Sequence, residues 1–358
     1  MKRIIYGVLL LCAWSCQHRE QQTAIDWTGK EIQLFAQPMY NDSTLFRTTW
    51  LNSLLIGNVL VACDFKSDEM LSFFLVKEDS LLFQHRQLHK GRGPNEMLIP
   101  FLTCLPEQNR LMIYEASDKT KLGTATIDTL TGTLSDLRFT STPENFLPYW
   151  SLCPVDTNHW IGTGTPDSLF SVICMTDGEI EKLNPYPEDG CKVSDPMLKI
   201  HAYMGDLLKR PGEDRFVYRS EINRYMQIFD YTNHAYRPVA APYRLYPRYA
   251  MAADGINIFR DGDALAGNLA MRVTSKYIYL LMNDLTYTNL REQSAQRRSD
   301  WSYASSVYAF DWEGEPVCRY DLDVPVQNIL VDADDRYLYG VNDRLKEDDI
   351  TVLRFALP

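Results

Sequence analysis

Short runs of β-branched and aromatic residues recur in pairs along the chain, and their spacing limits the fold more than any other feature. The last pair is the clearest: Arg336-Tyr337-Leu338-Tyr339-Gly340-Val341, a polar loop Asn342 to Asp349, then Ile350-Thr351-Val352-Leu353-Arg354-Phe355. Similar pairs are Leu54 to Cys63 with Leu71 to Val76, Arg110 to Tyr114 with Leu122 to Ile127, and His159 to Gly162 with Leu169 to Met175. Arg215 to Arg219 with Tyr225 to Tyr231, and Lys276 to Met282 with Ser306 to Trp312, complete the set. Few windows keep a 3.6-residue apolar period for three turns, so helices are minor. The pairs begin near residues 54, 110, 159, 215, 276 and 336, a repeat of roughly 50 to 60 residues.

Each pair predicts the two middle strands of a four-stranded sheet. Runs such as Ser80 to Gln84 and Pro316 to Tyr320 supply a following strand, and a run before each pair can supply the innermost one. Six such sheets account for the chain as an all-β, six-bladed β-propeller, with two packed sandwiches as the alternative. A propeller must close or leave sheet edges exposed. The alternating segment Lys30-Glu31-Ile32-Gln33-Leu34-Phe35 is expected to close it by completing the last blade.

The N-terminus reads as an export signal. Lys2 and Arg3 precede the apolar stretch Ile4 to Leu11, and Ala13-Trp14-Ser15-Cys16 follows. That stretch is shorter than the roughly 20 residues a membrane-spanning helix needs. Small residues before a Cys match a lipobox, with lipid attached at Cys16; a plain signal peptide with an incidental Cys is the alternative. The expected division is a signal over 1–15, a lipidated tether over 16–29 and the propeller over 30–358. Acyl chains contribute about 0.8 kcal/mol per buried methylene, so no basic surface is needed to hold the globule on a membrane. Gln17-His18-Arg19-Glu20 carries a single acid and favours the periplasmic face of the outer membrane over the cell surface.

Charge agrees with that reading. With 36 Lys and Arg against 47 Asp and Glu, the chain carries −11, and −13 without the leader, which argues against non-specific nucleic-acid binding. A monomer is expected. Of eight cysteines, six (63, 104, 153, 174, 191 and 318) lie in the globule. Most sit in apolar runs, where Cys behaves as a small hydrophobe. One disulfide is possible, a framework is not, and no Cys/His spacing supports a metal.

The lipobox, the six degenerate repeats and the segment Gly91-Arg92-Gly93-Pro94-Asn95-Glu96 together resemble the TolB-like six-bladed β-propeller lipoproteins of Bacteroidetes. The resemblance spans essentially the whole mature chain. It implies a fold and a cell-envelope location, and it brings no catalytic residues and no cofactor.

In an up-and-down blade, the loops between second and third strands share one face with the crossovers between blades. That face is the expected binding surface. The candidates on it are Arg92, Asn95 and Glu96 in the first crossover, Arg224 in the fourth blade, Arg244, Arg248 and Tyr249 in the fourth crossover, and Trp301 in the long loop Asp284 to Tyr303. Gly91 and Gly93 are expected to take backbone angles closed to other residues, and Arg92 to meet an anion or pair with Glu96. Each candidate also has a local packing role as its alternative. No G-x-S-x-G, H-E-x-x-H, P-loop or Rossmann fingerprint is present. A binding module for an envelope protein, peptide or glycan-derived ligand is therefore expected, without catalysis. The alternative is a hydrolase or lyase at the channel mouth, whose residues would come from several blades.

Overall fold

The computed structural model describes residues 25–41, 52–117, 121–146, 149–191, 196–252, 258–292, 302–342, 344–345 and 352–358. Two short strands come first, β1 (Glu31–Leu34) and β2 (Gln37–Asn41). The first blade is β3 (Ser53–Ile56), β4 (Val59–Cys63), β5 (Glu69–Val76) and β6 (Ser80–His89). The second is β7 (Pro100–Leu105), β8 (Arg110–Glu115), β9 (Lys121–Thr126) and β10 (Arg138–Ser141). The third is β11 (Leu152–Pro154), β12 (His159–Thr163), β13 (Phe170–Cys174) and β14 (Ile180–Asn184).

Helix α1 (Pro196–Ala202) lies in the next crossover, before β15 (Gly205–Lys209), β16 (Arg215–Ser220), β17 (Arg224–Thr232) and β18 (Ala235–Ala240) of the fourth blade. The fourth crossover carries β19 (Arg244–Leu245), β20 (Tyr249–Met251) and β21 (Ile258–Arg260). The fifth blade is β22 (Asn268–Val273), β23 (Tyr277–Met282), β24 (Ala304–Asp311) and β25 (Pro316–Val326), with α2 (Tyr287–Glu292) in its long loop. The sixth holds β26 (Asn328–Val331), β27 (Tyr337–Val341) and β28 (Val352–Ala356). Within each blade the strands pair antiparallel in sequence order. The innermost strands β3, β7, β11, β15, β22 and β26 neighbour one another in a ring.

The apolar runs become middle strands because both faces of each sheet are covered. All five residues of β4 are buried, and β16 buries Phe216 to Ser220 without alternation. Six apolar slabs result, one between each neighbouring pair of blades. Phe216, Tyr218 and Phe229 meet Phe170 between blades three and four, and Met271, Ile278 and Phe310 meet Val217 and Met226 between four and five. Full burial of one such side chain stabilises by about 1.5–3 kcal/mol. The segment Leu54 to Cys63, read from the sequence as one strand, is the hairpin β3–β4. It turns at Gly57, whose φ of +56° suits glycine.

Closure also differs in its residues. Trp27 is buried in the slab between blades four and five, its ring 5.2 Å from Tyr308 and 5.3 Å from Phe310. The chain leaving that anchor first meets the outer edge of blade five. Glu31–Leu34 therefore pairs parallel with β25, Glu31 opposite Arg319 and Leu34 opposite Leu322, as a fifth strand. Residues 37–41 close the ring instead. Gln37, Pro38 and Met39 pair antiparallel with Arg354, Leu353 and Val352, and Tyr40 and Asn41 then pair parallel with Ser80 and Leu81 of the first blade. Arg354 latches this seam, donating to Gln37 Oε1 and to the Glu78 carbonyl.

Candidate binding site at the loop-bearing face

The loops following β4, β8, β12, β16, β23 and β27 share one face with the crossovers, as up-and-down connectivity requires. Turns at the opposite face are mostly short, for example Gly57-Asn58 and Asn233-His234. Among the described residues, a charged cluster forms where the innermost strands approach the loop-bearing face.

Asp206, second residue of β15, lies opposite Arg219 on β16. The two form an ion pair through Arg219 Nη2 and Asp206 Oδ2. Arg219 is 4% exposed, whereas Asp206 is 42% exposed although it stands on an innermost strand. Arg219 Nε and Nη1 have no hydrogen-bond partner. Buried donors are used in the great majority of cases, so this guanidinium is underused. One residue past β16, Glu221 has its carboxyl raised above the ordinary range, first by burial and then by Asp206, against the pull of Arg219 and Arg260. Trp150, a half-exposed residue of the second crossover, lies near enough to lower it slightly.

Arg272 on β22 completes the cluster. It donates to the Met271 carbonyl at 2.7 Å, to Asn328 Oδ1 at 3.0 Å and to the Ser53 carbonyl at 3.3 Å, which links blades five, six and one. Its Nε has no partner. Burial pulls its pKa down to about 10, with Asp206 opposing and Arg219 adding. Asn328 Nδ2 donates to Ser53 Oγ at 3.2 Å, and Asn268 Nδ2 reaches the Ser220 carbonyl at 2.9 Å. These amides fix the strand ends on which the charges stand. Among the described residues no group of three or more His, Cys, Asp or Glu side chains is arranged to hold a metal ion. Arg110, Thr126, Asp136 and Arg138 line a separate polar groove at the opposite rim of blade two.

The repeat of four-stranded sheets, the ring of innermost strands and the loop-bearing face all match one family. Its model, described as TolB-like 6-blade propeller-like, matches residues 31–334. The chain belongs to this family. A search of curated proteins finds no match. Among solved structures, this TolB-like propeller is similar to a candidate 6-phosphogluconolactonase of Bacteroides fragilis, with TM-score 0.41 and 13% identity over 90% of this chain and 80% of that one. A candidate 6-phosphogluconolactonase of Bacteroides uniformis gives 0.42 and 11% over 82% and 77%. Raptor of Chaetomium thermophilum gives 0.42 and 10% over 84% of this chain and 22% of that one, so the chain spans under a quarter of Raptor.

The residues singled out from the sequence fall into two groups on the TolB-like ring. In the first crossover, Arg92 and Asn95 are exposed, while Glu96 turns inward and accepts the Gly93 N–H at 2.8 Å. Neither Gly91 nor Gly93 has a positive φ. Both sit against the Glu96 carboxylate: a Cβ on Gly91 would lie 1.9 Å from Glu96 Oε2, and one on Gly93 would lie 2.9 Å from it, so either would push that carboxylate aside. Lys121 Nζ donates to the Glu96 carbonyl at 3.0 Å, and the buried Glu115 carboxylate accepts the Ile99 N–H at 3.0 Å. These contacts fasten the crossover to blade two.

Above blades four and five, Arg224 pairs with Asp284 and lies over the Tyr243 and Tyr308 rings. Arg248 is exposed and 3.7 Å from Asp261, and Arg244 is exposed on β19. Tyr249 is buried, and its hydroxyl donates to Asp189 Oδ2 at 3.0 Å, as Tyr203 does at 2.9 Å, bracing two crossovers together. Trp301 lies outside the described residues. The channel residues Asp206, Arg219, Glu221 and Arg272 were missed by the sequence reading. One usable signal existed: Arg219 directly follows Phe216-Val217-Tyr218, a core strand in which an arginine needs a reason.

Proposed function

We propose that this TolB-like propeller is a lipid-anchored binding module of the cell envelope, taking a protein, peptide or glycan-derived ligand at its loop-bearing face. The anchor rests on Lys2-Arg3, the short apolar stretch and Cys16. The single acid in Gln17 to Glu20 supports the periplasmic face. One observation carries the binding reading: charges from blades four and five and from the fourth crossover converge beside the innermost strands, with Arg219 underused and Asp206 open to solvent. A rigid ring that gathers underused donors at its loop-bearing end is suited to hold a ligand's polar groups.

Envelope extract is passed over the immobilised mature chain and over two variants. Capture should fall with Asp206→Asn combined with Glu221→Gln, and persist with Asp136→Asn at the opposite rim. Equal capture by all three would refute binding at this face. Cys16→Ala should abolish labelling by a palmitate analogue; persistent labelling would refute the anchor.

A second reading is a hydrolase or lyase, favoured by Glu221, whose carboxyl is raised by burial and by the nearby Asp206. A carboxyl that holds its proton more tightly than usual beside a second carboxyl suits a general acid. Turnover of a glycan and ester panel, lost in Glu221→Gln, would establish that reading.

A further inference from the structure

The charges at the channel do not balance. Arg219 and Asp206 neutralise each other across β15 and β16. All three hydrogen bonds of Arg272 end on neutral oxygens of Met271, Asn328 and Ser53. Removing an ion from water without a counter-charge costs several kcal/mol even after relaxation. Three donor positions are also unused, Nε of Arg272 and Nε and Nη1 of Arg219. Arg272 is left without an ion-pair partner, and these three unused donor nitrogens call for one anion with several acceptor sites.

Asp206 narrows the choice. Its exposed carboxylate would repel a dianion such as phosphate, but it can accept hydrogen bonds from hydroxyls next to a monoanion. Glu221, held beside Trp150, adds a second hydroxyl partner. The half-exposed Trp150 offers an apolar ring to the C–H face of a sugar.

We propose that the channel mouth binds an acidic sugar, its single carboxylate completing the hydrogen bonding of Arg219 and Arg272 and its hydroxyls meeting Asp206 and Glu221. This rests on the loop-face binding reading above and names its ligand class. A peptide C-terminus would bring the same carboxylate without the ring hydroxyls.

The test is calorimetric titration of the unmodified mature chain with galacturonate, galactose, alanyl-alanine and inorganic phosphate. Galacturonate should bind at least about tenfold more tightly than galactose, the difference expected of a charge-assisted pair. Arg272→Gln should remove that preference; because it also breaks the bonds linking blades five, six and one, its folding is checked by its thermal midpoint. Arg219→Gln can fail to fold, so the galacturonate and galactose comparison on the unmodified chain decides. Equal affinity for the two sugars, no galacturonate binding, or tighter binding of alanyl-alanine or phosphate would each overturn the proposal. Envelope capture that depends on Asp206 and Glu221 but is not competed by galacturonate would leave the loop-face reading intact and overturn this one.

Discussion

Two truncations of equal size on the N-terminal strands should weaken different parts of the ring. Met39 on β2 is fully buried among Leu81, Leu330, Val341 and Val352, in the slab between the sixth and first blades. Leu34 on β1 is 5% exposed and packs in the slab between the fifth and sixth, beside Tyr320 and Leu322. Met39→Ala and Leu34→Ala each delete three heavy atoms from a closed apolar site. The lost transfer free energy plus the residual cavity amounts to about 2–5 kcal/mol in both cases.

Urea unfolding followed by tryptophan fluorescence should give similar losses, so global stability alone does not separate them. Hydrogen exchange read by mass spectrometry does. Met39→Ala should speed exchange in β28 and β6, the two strands that β2 joins, and leave β25 near its original rate. Leu34→Ala should speed exchange in β25. If Leu34→Ala loosened residues 352–356 more than Met39→Ala did, closure by 37–41 would be refuted.

Gly91→Ala should destabilise by about 1 kcal/mol, because its Cβ would push the Glu96 carboxylate off the Gly93 N–H that it accepts. In a Glu96→Ala background Gly91→Ala should cost almost nothing in thermal unfolding, because the two changes share one contact. Glu221 keeps its proton to higher pH in the folded chain than at its ordinary value of 4.5. Its contribution is therefore fully present below that value and lost as pH rises through the raised one. Denaturation midpoints should show the unmodified chain losing stability relative to Glu221→Gln as pH rises above 4.5; a constant difference would contradict the assignment. Burial pushes the Cys63 thiol up to about 12 and raises Cys153 as well. Iodoacetamide at about pH 8 should reach the half-buried Cys174 and Cys191 well before these two, as peptide mass spectrometry would show.

Most of the ring was legible because its middle strands are covered on both faces. An unbroken apolar run such as Tyr277–Met282 then has no other use. The errors have local causes. Leu54 to Cys63 looked continuous because its hairpin turns on only Gly57 and Asn58. Strand β2 was passed over because Pro38 breaks a strand pattern, yet at Pro38 the strand is paired on one side only, with Leu353.

Glu31–Leu34 alternates well but lies on the outside of another blade, and no local pattern encodes which edge a strand meets. Channel residues are hidden for a related reason. Asp206 and Arg219 are brought together by strand register, and Arg272 stands on the next blade. The glycines of the first crossover do not take the backbone angles expected of them; what lies against them is the Glu96 carboxylate.

The seam at β2 also fixes the order in which the chain can mature. The Arg354 side chain grips Gln37 across 317 positions of sequence, so one of the earliest ordered strands to be synthesised finds its partner among the last. Until residues 352–356 arrive, Met39 and the open edges of blades one and six have no cover. Contacts between such distant residues make folding slow and leave sticky edges exposed while it proceeds. A ring assembled in the order of synthesis stays open until residues 352–356 are in place, and its vulnerable interval lasts until then.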